Sequence, residues 1–402
     1  MMVSFPTPYP GELWYSVICR CHIAMGSTSW AETVRSLYGR PRMPVGTLYP
    51  SQAIQQVAAQ LPPGVLNLRE CAMDHTLLPI LLRFHPTSQK KQVLHSFMDG
   101  EDIQPKLLFT ARAREREGPL KYCPMCREED TASYGEPYWH REHQIPTMPL
   151  CPRHGCRLIA VEASNTRSRS DQFLYLGSLP CAEADFRTLP WERAYTKELE
   201  RLLVMPYEKS PVPQADNVRR LLENGGFLAS GCVRRIAFDR EKIYQTLREF
   251  FGEGLVKDVF GTGLTGAHLL RLRKYQISAP LEYAMLAVLL GTDTSVFFTK
   301  KPVPLQVEQQ MQAMANSGRE YSKAAIARQL GIPADKLQDY ASRFSIQPFW
   351  TQQGKEREDP RSFAYTAHFT AAEQARLAAY AESEGFENIS KLLRFLALNA
   401  SK

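Results

Sequence analysis

The chain has 402 residues, a formal net charge of +7 from 49 Lys and Arg against 42 Asp and Glu, and a hydrophobic share of 44%. This is the composition of a folded globular protein and excludes wholesale disorder and collagen-like repeats; at roughly 100–200 residues per domain it predicts about two to four domains. The modest positive charge permits nucleic-acid binding without requiring it.

Residues 1–122 predict a mostly helical domain. Phe5-Pro-Thr-Pro-Tyr-Pro-Gly11 reads as a rigid extended arm ending in a turn. A helix is expected from Glu12, with Leu13, Ser16, Val17 and Arg20 at helical spacing, and another from Pro50 to Leu61, stopped by Pro62-Pro63-Gly64. An apolar segment covers His75 to Phe84. Residues 123–160 change character: cysteines, histidines, aromatics and prolines predict a small loop-rich unit that needs a staple. Helical patterns return over residues 180–300, as in Lys242–Phe251 and Pro280–Leu290. Two short units follow, at residues 305–350 and 361–402, separated by a polar breaker that starts at Thr351.

No segment reaches the ~18 apolar residues of a membrane helix, and the N-terminus lacks the basic start and apolar core of a signal peptide. The expected setting is the cytosol. There, an odd count of nine cysteines favours metal ligands and buried thiols over disulfides.

Cys123-Pro-Met-Cys126 and Cys151-Pro-Arg-His154 form two knuckles, the second ending in histidine. Three thiolates and an imidazole suit tetrahedral zinc, and four protein ligands close its shell, so the predicted ion is structural. It would supply folding energy that so small a segment lacks. Cys156, His140 and His143 lie near enough in sequence to compete as ligands. The plainer alternative is a set of buried cysteines that bind nothing. His140-Arg-Glu142 before a cysteine knuckle also resembles the H-x-E…P-C-x-x-C pattern of zinc deaminases. Only eight residues separate Glu142 from Cys151, however, and the upstream knuckle has no place in that scheme.

These knuckles, with Tyr134-Gly-Glu-Pro-Tyr-Trp139-His-Arg-Glu-His143, the arm Phe5 to Ser16, and Asp74-His75-Thr-Leu-Leu-Pro79, resemble the TniQ/TnsD family of transposon target-selection proteins. The resemblance covers roughly residues 3–160. It continues more weakly through Pro280 to Gly291 and Phe297-Phe298, with Ser278-Ala279 where the family is usually His-rich. It implies a non-enzymatic adaptor that recognises a target and recruits an AAA+ ATPase regulator. It also implies a structural zinc on Cys123, Cys126, Cys151 and His154, and an ATPase-contacting surface around Pro8, Tyr9, Pro10, Glu12 and Trp14. Read on its residues alone, the aromatic block can simply cover the knuckles, Trp139 above all. Arg141 and Arg153 either face phosphate or pair with Glu136 and Glu142.

Ser322 to Arg343 reads as a helix-turn-helix: Ser322 as N-cap, Ala325, Ile326 and Leu330 inward, Gly331 at the turn, and a second helix from Ala334 entering the major groove. Lys323, Arg328, Lys336, Gln338, Ser342 and Arg343 are the predicted base or phosphate contacts. Asp335 and Asp339 count against that role, and a plain helical hairpin is the alternative. Residues 361–402 resemble a ribbon-helix-helix module: a strand at Phe363 to Phe369, a helix capped by Thr370 and Glu373, a stop at Gly385, and a second helix with Ile389, Leu392, Leu393 and Leu396 inward. Such modules dimerise, so a homodimer is expected; a strand without Arg or Lys also fits docking instead of DNA readout. Arg271, Arg273 and Lys274, after Gly261, form a third basic run that a solvated helix face explains equally well. Gly261-Thr-Gly263-Leu-Thr-Gly266 matches a dinucleotide-loop string, but no strand–helix alternation surrounds it.

The sequence therefore predicts a mainly α, multidomain protein: an N-terminal helical domain with an inserted zinc-knuckle unit, helix-turn-helix-type domains, and a C-terminal ribbon-helix-helix. The expected function is selection of an attachment site in double-stranded DNA and recruitment of the AAA+ ATPase. The alternative is an adaptor linking a CRISPR guide-RNA effector to that ATPase. A zinc hydrolase or deaminase is the reading from another class. No membrane partner is expected.

Overall fold

A computed structural model describes residues 5–39, 50–101, 103, 119–161, 173–206, 215–229, 238–261, 263, 280–299, 302–351, 369–384, 386 and 388–399. Among them the chain is mainly helical. It divides into two compact units: Met1–Arg319 with Leu330–Pro348, and Glu320–Gln329 with Phe349–Lys402.

The helices before the cysteine segment are α1 (Trp14–Ala24), α2 (Trp30–Tyr38), α3 (Gln52–Ala58), α4 (Leu68–Asp74), α5 (Leu78–Leu81) and α6 (Thr87–Met98). Local chemistry sets several of their ends. Ser29 caps α2 by accepting from Glu32 N, and Gly39, at φ +67°, ends it. Asn67 caps α4. α1 begins two residues after the predicted start, because Glu12 is held in an antiparallel bridge to His140. The apolar run from His75 yields only the single turn α5.

β1 (Leu120–Tyr122) pairs antiparallel with β2 (Ile159–Val161), Leu120 opposite Val161 and Tyr122 opposite Ile159. This two-stranded clasp closes the base of the cysteine segment, which carries α7 (Pro124–Tyr134). Beyond it come α8 (Pro190–Val204), α9 (Ala215–Asn224), α10 (Arg240–Phe251), α11 (Glu253–Phe260), α12 (Pro280–Leu289) and α13 (Gln306–Asn316). α8 packs on α12, burying Tyr195, Leu199 and Leu202 on one side and Tyr283, Ala284 and Met285 on the other. Arg83 is fully buried and caps the C-terminal end of α8, donating to the carbonyls of Leu202 (2.5 Å), Leu203 (3.1 Å) and Pro206 (3.3 Å).

One continuous core joins α1–α6, Trp139, Ile145 and Met148 of the cysteine segment, and α8–α12. Cys123, Cys126, Cys151 and Cys156 form a small cluster of their own. Trp139 thus belongs to the large core, with its ring edge-on to Tyr122, and corrects its expected role as a cover for the knuckles. A large ring is better buried in a deep core than over a four-cysteine cluster.

β3 (Tyr321–Ser322) precedes α14 (Lys323–Leu330), α15 (Leu337–Phe344) and β4 (Trp350–Thr351); β3 and β4 pair in parallel. Ser322 Oγ accepts from Ala325 N at 3.2 Å, as a helix cap should. The second helix of the expected helix-turn-helix starts at Leu337, after a 3-10 turn at Ala334–Lys336. The boundary between units separates its two helices, with α14 up to Gln329 in the second unit and α15 in the first. α16 (Ala371–Ser383) and α17 (Ile389–Asn399) close the chain. Thr370 and Glu373 make the predicted capping box. The expected strand before them, apart from Phe369, and Gly385 lie outside the described residues.

Candidate metal centre and partner surfaces

The fold brings the two knuckles face to face. Cys123 follows β1 and is the N-cap of α7, its sulfur accepting from Cys126 N at 3.4 Å. Pro124, at the first helical position, costs no hydrogen bond there. In the second knuckle Cys151 sulfur accepts from His154 N, also at 3.4 Å. One donor atom from each of Cys123, Cys126, Cys151 and His154 lies within 4.8 Å of all the others. His154 Nδ1 is 3.5 Å from Cys123 Sγ, 3.3 Å from Cys126 Sγ and 3.5 Å from Cys151 Sγ, and the sulfurs of Cys126 and Cys151 are 3.6 Å apart.

A zinc tetrahedron with bonds of about 2.3 Å to sulfur and 2.0–2.1 Å to nitrogen has edges of about 3.5–3.8 Å. The donor set therefore fits the ion in both chemistry and size. The electrostatics agree. Hydrogen bonds from Cys126 and Cys151 hold the Cys123 thiol far below its ordinary range, while sharing with Cys123 pushes Cys126 far above it.

Glu129, not singled out by sequence, orients the imidazole: its Oε1 is 2.9 Å from His154 Nε2, while Oε2 accepts from Arg153 at 2.9 Å. The available signal was its spacing, three residues after Cys126 on one helix. The competing histidines stand outside the tetrahedron. His140 Nε2 meets Asp130 at 2.8 Å; His143 Nε2 is 3.9 Å from Cys126 Sγ.

The motifs that carried the family resemblance meet in one place. Leu13 N donates to Trp139 O, Trp14 N to His75 O and Arg141 N to Gly11 O. Trp139 N donates to Ser16 Oγ, and His75 Nδ1 sits 2.7 Å from Glu12 O. The arm is further pinned by Arg20, which reaches Glu12 at 2.8 Å and Glu136 at 2.7 Å and stacks 3.5 Å over the Tyr9 ring.

Residues 3–158 match the family model described as TniQ. The resemblance to the TniQ/TnsD family thus holds over the segment that contains the metal centre and the docked arm. Over 157 residues the chain is 29% identical to "Transposon Tn7 transposition protein TnsD" of Escherichia coli, covering 38% of this chain and 31% of that protein. The chain spans about a third of the length of this curated relative. The TniQ match ends next to β2, the strand that completes the clasp around the metal centre.

Two of the expected partner-contacting residues serve the interior instead: Glu12 and Trp14 are fully buried. Glu12 accepts from Arg20 at 2.8 Å, and Trp14 fills the core beside Phe5. Pro10 is exposed, and Pro8 and Tyr9 are half-buried. Beside the arm, Pro10, Gly11, Asp130, Tyr134, Tyr138 and Glu142 line a groove of about 750 Å³. Arg141 turns to neither Glu136 nor Glu142 but to the turn after α4. It donates to the carbonyls of Met73 and Thr76 and lies 3.8 Å from Asp74.

Of the predicted DNA contacts, Lys323, Arg328 and Gln338 are exposed. Lys323 Nζ lies 5.8 Å above the Trp350 ring, and Lys336 is 3.8 Å from Asp335. Arg343 is spent elsewhere, making a two-pronged pair with Glu223 of α9 at 2.6 and 2.8 Å. Ser342 Oγ donates to Gln338 O of its own helix. Arg271, Arg273 and Lys274 lie outside the described residues, as does most of the Gly261–Gly266 string. No helix among the described residues is long and apolar enough to cross a membrane.

Proposed function

We propose that this chain is a target-selection adaptor of Tn7-like transposition. The TniQ match over residues 3–158 carries the reading, and the relative's name places that protein in transposition. In this reading a Zn²⁺ on Cys123, Cys126, Cys151 and His154 is structural. It locks α7 against the second knuckle and so presents the arm, with Pro8, Tyr9 and Pro10 toward an AAA+ ATPase regulator. The chain performs no chemistry itself. His140, the candidate for a deaminase-type site, is engaged by Asp130 and stands apart from the four-donor set.

The chain reads its own attachment site in double-stranded DNA. Lys323, Arg328, Lys336 and Gln338 make the contacts, with the basic run Arg271, Arg273 and Lys274 in support. The C-terminal module at residues 361–402 joins two copies. The modules at residues 305–350 and 361–402, beyond the TniQ match, favour this over the second reading, in which a CRISPR effector supplies the address. A membrane plays no part, and the protein works in the cytoplasm at the nucleoid.

The test is selection of duplexes from fragmented host DNA by the purified zinc-loaded chain at physiological salt. One enriched sequence is expected. Weak salt-sensitive binding without enrichment transfers the address to another complex.

A further inference from the structure

The centre holds one more sulfur than a tetrahedron needs. Cys156 Sγ lies 3.3 Å from Cys123 Sγ, and Cys156 is fully buried. Its backbone is tied to the second knuckle: Cys151 N donates to Cys156 O at 2.8 Å, and the flanking residues Leu150 and Arg157 form an antiparallel bridge. These contacts hold the Cys156 backbone beside the second knuckle. The thiol lies closer to Cys123 than the sulfurs of Cys126 and Cys151 lie to each other.

We propose that Cys156 is a reserve ligand that replaces Cys123 when the Cys123 sulfur is lost or blocked. The inference rests on the metal reading above. With Cys123 in place, its sulfur fills the tetrahedron and the Cys156 thiol stays beside it as a hydrogen-bond partner. When Cys123 is removed, the Cys156 thiol gives its proton to water and its sulfur binds the ion, with nothing oxidised. The set becomes Cys126, Cys151, Cys156 and His154, still three thiolates and one imidazole. The ligand chemistry is that of a borderline-soft divalent cation, Zn²⁺ in the cell and Co²⁺ as a probe.

The test uses the full chain loaded with Zn²⁺ or Co²⁺. Cys123→Ala is expected to keep one zinc per chain and the thiolate-to-cobalt absorbance of three sulfurs. Adding Cys156→Ser is expected to lower that absorbance by at least a third or abolish binding. A folded Cys123→Ala chain that loses its metal, or drops to two-sulfur absorbance, overturns the inference. Should Cys123→Ala not fold, Cys156→Ser alone decides: EDTA is expected to strip its zinc several-fold faster than from the native chain, and an unchanged rate overturns the inference. A native chain that binds neither ion would fail the metal reading itself, which separates the two failures.

Discussion

Glu129 engages His154 Nε2 and leaves Nδ1 facing the three sulfurs, the arrangement that supports an imidazole as a metal ligand. Glu129→Ala is expected to weaken zinc affinity about 10- to 100-fold, read by chelator competition. Glu12 makes a different kind of prediction. Burial, opposed by Arg20, pushes its carboxyl up to about 7 from an ordinary value near 4.5. Between those values the folded chain keeps a proton that the unfolded chain has lost, so this stabilisation is complete below about 4.5 and declines as pH rises toward 7. Glu12→Gln, which keeps an acceptor for Tyr9 N, is expected to flatten that component in urea midpoints measured from pH 4.5 to 7.5. The four metal donors were legible because knuckle spacing is local. The partners of Arg20 were not, since Glu136 lies far along the chain and no sequence period links the two.

At the scale of elements, the helix–glycine–helix pattern predicts α15 as a recognition helix, with Gln338, Ser342 and Arg343 among its contacts. Leu337, Tyr340 and Ala341 are buried on its inner side. Arg343 instead bridges to α9, where it satisfies a nearly buried Glu223. Arg343→Ala is therefore expected to cost about 1–3 kcal/mol of stability by stranding that carboxylate, measured by denaturant unfolding. The salt dependence of DNA binding should stay unchanged. Exposed Lys323 and Arg328 carry the opposite expectation: each alanine substitution should lower the salt slope by about 1, and an unaltered slope removes α14 from the interface. Thr370→Ala should fray α16, at a cost of about 0.5–2 kcal/mol, seen as faster amide exchange in its first turn. That cap was readable because it needs only four consecutive residues.

At the scale of the whole molecule, Trp139 lies in the large core, edge-on to Tyr122, the residue just before Cys123. Cys123→Ser with Cys126→Ser removes two donors, more than Cys156 can replace. It is expected to abolish zinc content and release the arm, raising proteolysis around residues 5–12. Unchanged zinc content and melting would reject the centre. The two-stranded clasp explains why the effect should spread, since β1 and β2 bring both ends of the cysteine segment onto the core.

The sequence by itself determined the helical class, several helix positions, the caps at Ser322 and Thr370, and the four candidate metal donors. The helix positions and caps depend on contacts within a few residues, and the donors are readable from the spacing inside each knuckle. Only the tertiary structure decided that Glu12 and Trp14 face inward and that Trp139 serves the core. It also decided that Glu129 supports His154, that Arg343 answers Glu223, and that Cys156 lies against Cys123. Those outcomes depend on which surfaces become buried together when distant segments pack, and burial alters what a charge or a ring can do.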